Sequence, residues 1–231
     1  MGRCIGLRQN EHHHHDIVTS RRLLLLFALL IAACDRSPGL NAEEEHQRRD
    51  AELLNSIADA VDIDPQNPFR AAQSLAEDSM GAAIGRNIDQ TWVRMMIEHQ
   101  EGTARFADLM LKSQPSTRVR TAAEKMRKDA HARVMALEAL REKSFRTDST
   151  STYVFAGLLP ETFSRMTQVQ GTNVSQTWAL KVAAYNRGAV SIAGMEATHG
   201  QNARVRQLAR RFALVLANEA DQLDELATTG A

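Results

Sequence analysis

The chain has 231 residues, 28 basic and 28 acidic side chains, a formal net charge of zero, and 43% hydrophobic but only 5% aromatic residues. Residues 1–34 hold four Arg and two acids, so the remainder carries 24 basic and 26 acidic side chains without a basic block, which sets nucleic acid aside as a partner. The only cysteines are Cys4 and Cys34, so a chain that starts at Cys34 can form neither a disulfide nor a zinc–thiolate site.

Arg21 and Arg22 precede an apolar run over residues 23–33 that is short for a permanent span, so residues 1–33 read as an export signal. The run closes on Ile31-Ala32-Ala33-Cys34, which resembles a bacterial lipobox. The resemblance implies lipidation of Cys34, a membrane anchor and a periplasm-facing place in the cell envelope. Asp35 resembles an inner-membrane retention signal, although the choice between inner and outer membrane stays open. His12 to His15 lie upstream of the cleavage site and are not expected in the exported chain; Val18 is a second candidate start.

Residues 34–66 read as a tether with a short helix over about 43–61, whose apolar face is Leu53, Leu54, Ile57, Ala58 and Val61. Asn67-Pro68 suits the N-cap and first position of another short helix running to Met80. The strongest periodicity follows over residues 88–113. Trp92, Met96, His99, Thr103, Phe106 and Met110 fall at steps of four, three, four, three and four, one continuous helical stripe with a histidine in its middle. Asn87 is a good N-cap, and Gln90 is placed to reach back as in a capping box. A turn at Ser113-Gln114-Pro115-Ser116 leads to a second long helix over 117–142, with Val119, Ala122/Ala123, Met126, Ala130, Val134/Arg133, Leu137 and Leu140 on its stripe. His131 and Met135 lie on its flank.

After a crossover loop over 143–158, a short helix is expected from Leu159-Pro160 to Gln170, then long helices over 174–198 and 203–227. His199-Gly200 reads as the stop of the first, with His199 favourable at a helix C-terminus. Asn87, Gln90, Thr91, Trp92, Gly102 and Ala107 return 86 residues later as Asn173, Gln176, Thr177, Trp178, Gly188 and Ala193. Tyr185 then stands where His99 stood. No segment alternates at period two. The expected fold is all-α: a four-helix bundle of two duplicated αα hairpins, 67–142 and 159–228, with short extra helices. Both Trp residues should be buried. Arg133 and Glu219 are equivalent positions of opposite charge, which can pair across the axis between the hairpins or stay two separate solvated side chains. His99 and Tyr185 should lie together there, the Tyr185 hydroxyl serving the imidazole.

The run Met96-Ile97-Glu98-His99-Gln100-Glu101-Gly102-Thr103-Ala104-Arg105-Phe106-Ala107 resembles the signature of the DUF305 family, roughly M-I-x-H-H-x-G-A-I-x-M-A. The resemblance covers about residues 75–228 and implies an exported bacterial protein of ferritin-like helical fold, with copper as a ligand in some members. This chain departs from the pattern: the paired histidines are His99-Gln100 here and Tyr185-Asn186 in the second unit. A reduced site would draw on His99 with Met95 and Met96 one turn before it and Met126 on the next helix, thioether and imidazole both being ligands for Cu(I). The bland alternative is that these methionines fill the core and the histidine is hydrogen-bonded structure. A di-iron centre would need two Glu-x-x-His units, and only Glu196 to His199 is present. No nucleophile motif or phosphate loop appears, so catalysis is not expected. Two readings remain: copper capture without turnover, or a helical scaffold that has lost its metal site.

Overall fold

A computed structural model describes residues 67–142 and 154–229; Cys34, the signal and the helix expected over 43–61 lie outside the described residues. The described chain is all helical: α1 (Arg70–Ala82), α2 (Ile88–Lys112), α3 (Thr117–Glu138), α4 (Leu158–Gln168), α5 (Val174–His199) and α6 (Ala203–Thr228). Both stripes read from the sequence are buried along their whole length. Trp92, Met96, His99, Thr103, Phe106 and Met110 of α2 are each 0% exposed, as are Trp178, Val182, Tyr185, Ala189, Ile192 and Glu196 of α5. These two helices pack on each other at the centre. Helix α3 covers α2, α6 covers α5, and the short α1 and α4 pack on α2 and α5 and on one another.

Helix α1 starts later than expected. Asn67 does not cap it: the helix begins at Arg70 after Phe69, whose side chain makes no capping bond, and the Asn67 Oδ1 has no hydrogen-bond partner. Burial of Phe69 against Phe106, ring centroids 6.2 Å apart, fixes that start. Asn87 and Asn173 do cap, accepting from Gln90 N at 2.9 Å and Gln176 N at 2.8 Å. The Gln90 side chain, however, does not turn back on its own cap. It donates to Leu140 O and accepts from Glu142 N, satisfying main-chain groups beyond the α3 terminus that otherwise lack helical partners. Gln176 does the same with Ala227 O at 3.0 Å, while its oxygen accepts from Thr172 N.

Before each of these helices a glycine lies directly on the first turn. Gly85 N donates to Thr91 Oγ1 and Gly171 N to Thr177 Oγ1, both at 3.0 Å. A Cβ at either glycine would collide with the helix atoms beneath, at Gln90 and Thr91 or at Gln176 and Thr177, so no other residue allows that approach. These contacts recur 86 residues apart, and they set how each loop enters its long helix.

Asp89, in the first turn of α2, accepts Gln201 N at 3.0 Å and Asn202 N at 2.9 Å. The start of α2 therefore sits beside the turn that ends α5, and the two central helices run antiparallel. Glu196 is buried under the same turn with no donor to either carboxylate oxygen. Gly200 leaves the room for it, since a Cβ there would collide with Glu196 Oε1. Burial pushes the Glu196 carboxyl up to about 9, helped by a hydrogen bond to the neighbouring Asp89 carboxylate and by its charge, with Arg206 opposing. A protonated Glu196 donating to Asp89 accounts for two carboxyl groups sharing one buried site.

Candidate functional site

The centre of the bundle is polar where α2 crosses α5. His99 and Tyr185 stack, ring centroids 4.1 Å apart and planes 30° apart. The expected hydrogen bond between them is not made. Tyr185 donates its hydroxyl to Met80 Sδ on α1 at 3.2 Å, and its ring also meets Phe106 and Phe163, each at 5.8 Å. Stacking places the hydroxyl beyond the imidazole, toward the sulfur. Burial depresses the His99 pKa to about 3, the Tyr185 main chain opposing this and the Arg133 charge adding to it, so the ring is neutral at physiological pH. Burial likewise pushes the Tyr185 phenol up, and it stays protonated.

One nitrogen of His99 is engaged. Gln100 Nε2 lies 2.9 Å from His99 Nδ1. Gln100 Oε1 accepts from Arg133 Nη1 at 3.3 Å, which orients the amide so that its N–H faces the ring. Nδ1 is then the acceptor and the ring proton is on Nε2, which has no hydrogen-bond partner. Arg133 of α3 turns its fork on Glu219 of α6, Nη1 to Oε2 at 3.1 Å and Nη2 to Oε1, with the side chains only 18% and 9% exposed. Of the two alternatives for these positions the pair is the one formed, and it extends into the core as a chain from Glu219 through Arg133 and Gln100 to His99. Asn186, the counterpart of Gln100, is fully buried and neither atom of its amide has a hydrogen-bond partner.

The methionines named from the sequence have different surroundings. Met95 lines a cavity of about 210 Å³ with Met80, Thr91, Phe155 and Leu159. Met126 lines a groove of about 120 Å³ with Glu219, Leu223 and Leu226, at the α3–α6 side of the molecule. Met96 is buried in the core, whereas Met135 is 76% exposed and His131 is exposed with it. Both Trp92 and Trp178 are buried with indole nitrogens that find no acceptor, and Trp92 meets Phe212 edge-on at 5.7 Å. Glu196 and His199 do not act as a ligand unit, because Glu196 turns under Gly200 and His199 is exposed. Among the described residues, no three His, Cys, Asp or Glu side chains stand close enough to share a metal ion.

Sequence reasoning passed over Lys181, which is 1% exposed on α5. Its ammonium donates to Gln73 Oε1 of α1 at 3.2 Å and to Met166 O in the last turn of α4, a favourable place for a cation. Gln73 in turn donates to Thr167 Oγ1 at 2.7 Å and to Phe163 O at 3.3 Å, tying α1 to α4. The one available signal was that Lys181 stands opposite Met95 in the 86-residue register, a charged side chain at an apolar position.

Fold and centre together define an all-helical bundle with buried polar side chains where its two central helices cross. The family model for DUF305, described as a domain of unknown function, matches residues 89–227, and the chain belongs to that family. No curated protein and no solved structure matches it.

Proposed function

We propose that this chain is a non-catalytic helical module of the bacterial cell envelope, ferritin-like in plan and held at the membrane by lipid on Cys34. It works by binding a partner, and its metal site has been lost. The observation that carries this reading is the hydrogen-bonded chain Glu219–Arg133–Gln100–His99. It occupies the position where the family pattern has paired histidines. For His99 Nε2 to take a cation, the ring proton would have to move to Nδ1. Gln100 would then have to turn its oxygen to the ring and its N–H groups toward the Arg133 guanidinium. The Arg133 charge stands close enough to disfavour a second positive charge at the ring.

Copper capture remains the second reading, favoured by the Met80 and Met95 thioethers that line a common cavity. Thermal melts of the exported chain with and without saturating Cu(I) separate the two. The scaffold reading expects no shift in wild type or in His99→Gln. A stabilisation that follows mass action and disappears in His99→Gln overturns it. The anchor has its own check: Cys34→Ala should move the protein from the membrane fraction to the soluble periplasm. Asp35 favours retention at the inner membrane, which fractionation of the two membranes reads directly.

A further inference from the structure

The outward face of α6 carries a pattern that its own fold does not require. Arg204, Gln207, Arg211 and Leu214 are followed by Val215, Asn218, Gln222 and Glu225. The steps are three, four and three on each side of the 214–215 bond, so the stripe reads the same from both ends in spacing. All eight residues are exposed and lie on the side of α6 away from the buried Val205, Phe212, Leu216 and Leu223. Charge divides at the same bond. Before it the helix holds Arg204, Arg206, Arg210 and Arg211 and no acid; after it come Glu219, Asp221, Asp224 and Glu225 and no base. Leu214 and Val215, 74% and 43% exposed, are two of the three large exposed apolar side chains among the described residues.

Local helix energetics does not explain the order. Cations in the first half and anions in the second oppose the helix dipole. Pairing within the chain explains only part of it. Glu219 is taken by Arg133, Asp221 and Asp224 are taken by Arg187, and Arg206 serves the main chain of the α5–α6 turn. Glu225 reaches Arg118 at 3.7 Å with both side chains more than half exposed. Among the described residues, the side chains of Arg204, Arg211 and Asn218 enter no ion pair or hydrogen bond.

We propose that α6 is a self-association surface whose partner is α6 of a second copy, antiparallel, with the two-fold axis passing between Leu214 and Val215. In that register Leu214 meets Val215 of the other copy, Gln207 meets Gln222 and Arg204 meets Glu225, each pair occurring twice. Arg211 meets the Asn218 amide, whose oxygen can accept from the guanidinium. A parallel pairing sets cation on cation and anion on anion, and a shift by one turn takes Leu214 and Val215 off each other. The stripe spans roughly 32 Å of helix, and one helix pair alone falls at the small end of specific interfaces. The dimer is therefore weak, reversible and weakened by salt. Dimerisation through α6 does not depend on whether the core accepts metal.

Sedimentation velocity of the full chain in mild detergent, over a range of protein and salt concentrations, tests it. Wild type should show a monomer–dimer equilibrium that shifts to monomer in high salt. Arg204→Glu and Glu225→Arg should each raise the dissociation constant roughly five- to tenfold, since two exposed pairs turn repulsive, and the double variant on one chain should recover it. Asn218→Glu gives Arg211 a carboxylate partner twice per dimer and should tighten association several-fold, a gain specific to this register. The sharpest arm mixes two variants, Arg204→Glu/Arg211→Glu and Asn218→Arg/Glu225→Arg. Each should be monomeric alone, and together they should form a heterodimer. Circular dichroism should show unchanged helix content, because every altered residue is exposed. A strictly monomeric wild type, or a dimer indifferent to these charge exchanges, overturns the proposal.

Discussion

Replacing Glu196 with Gln should stabilise the protein at neutral pH and leave it unchanged in acid. The folded carboxyl holds its proton up to about 9, against an ordinary value of 4.5, chiefly because it is buried and because Asp89 faces it. Between those values the unfolded chain has released a proton that the folded chain keeps. Stability therefore falls as pH rises through that window, and the contribution is complete only below the unfolded pKa. From 4.5 to pH 7.5 is about three units at about 1.4 kcal/mol each, a ceiling of about 4 kcal/mol. A glutamine amide has the same shape, never ionises, and donates to Asp89 as the protonated acid does. The expected gain at pH 7.5 is about 2–4 kcal/mol, shrinking to within about 0.5 kcal/mol near pH 4.5.

Urea unfolding at half-unit steps from pH 4.5 to 9.5, for wild type and Glu196→Gln, reads this directly. The wild-type curve should decline across the range and the variant's decline should be smaller by the Glu196 contribution. Two parallel curves, or a variant less stable than wild type at pH 8, would refute a shared proton at this site. Arg206 sharpens the test. Its guanidinium donates to Gly200 O and Gln201 O, and its charge pulls Glu196 toward ionisation. Arg206→Gln should carry the decline of the Glu196 protein to higher pH without affecting the glutamine variant's slope.

Three further outcomes follow from the core. Trp92→Ala should cost about 3–5 kcal/mol in chemical denaturation, because a fully buried indole leaves a cavity under Phe212. Arg133→Ala should cost about 3–5 kcal/mol by stranding a buried carboxylate, whereas Arg133→Met with Glu219→Leu should be close to neutral; a double-mutant cycle measures the coupling. His99 stays neutral down to about 3 while the unfolded ring protonates near 6.5, so its contribution is present above 6.5 and is lost as pH falls toward 3. His99→Gln should therefore flatten the acid limb of the stability curve, and an acid limb unchanged by the substitution would count against a neutral buried ring.

The residues legible in advance were those whose role is fixed by their own helix. A spacing of three and four placed Trp92, His99 and Phe106 on one buried stripe, and an asparagine before α2 and again before α5 announced a cap that both helices use. What stayed hidden depends on partners far away in sequence. Gln90 looked like half of a capping box, yet its amide is drawn to main-chain groups 50 and 52 residues away. Tyr185 looked like the partner of His99, yet its hydroxyl goes to Met80, 105 residues away. Glu196 was read only as part of a lone Glu-x-x-His unit that argued against a di-iron centre. On its stripe it is an inward position, and an inward carboxylate either finds a donor, keeps its proton or binds a cation. Asp89, which answers that question for Glu196, is 107 residues away, and no local pattern connects them.

Positions 86 residues apart meet each other twice in the centre of this bundle, His99 on Tyr185 and Arg133 on Glu219. Where two related units pack about a shared axis, a side chain near that axis faces its own counterpart. Two arginines at 133 and 219 would bring like charges together in a site that is 18% and 9% exposed, and two glutamates would do the same. Opposite charges at the two positions make a bidentate pair instead. The same reasoning applies one turn in. Two imidazoles at 99 and 185 would present polar nitrogens that the aromatic surround of Phe106 and Phe163 cannot satisfy, unless a cation bound them. A tyrosine at 185 stacks on the remaining histidine and carries its hydroxyl out to Met80. Gln100, Arg133, Tyr185 and Glu219 are thus consistent with one another as a core that holds together through its own side chains.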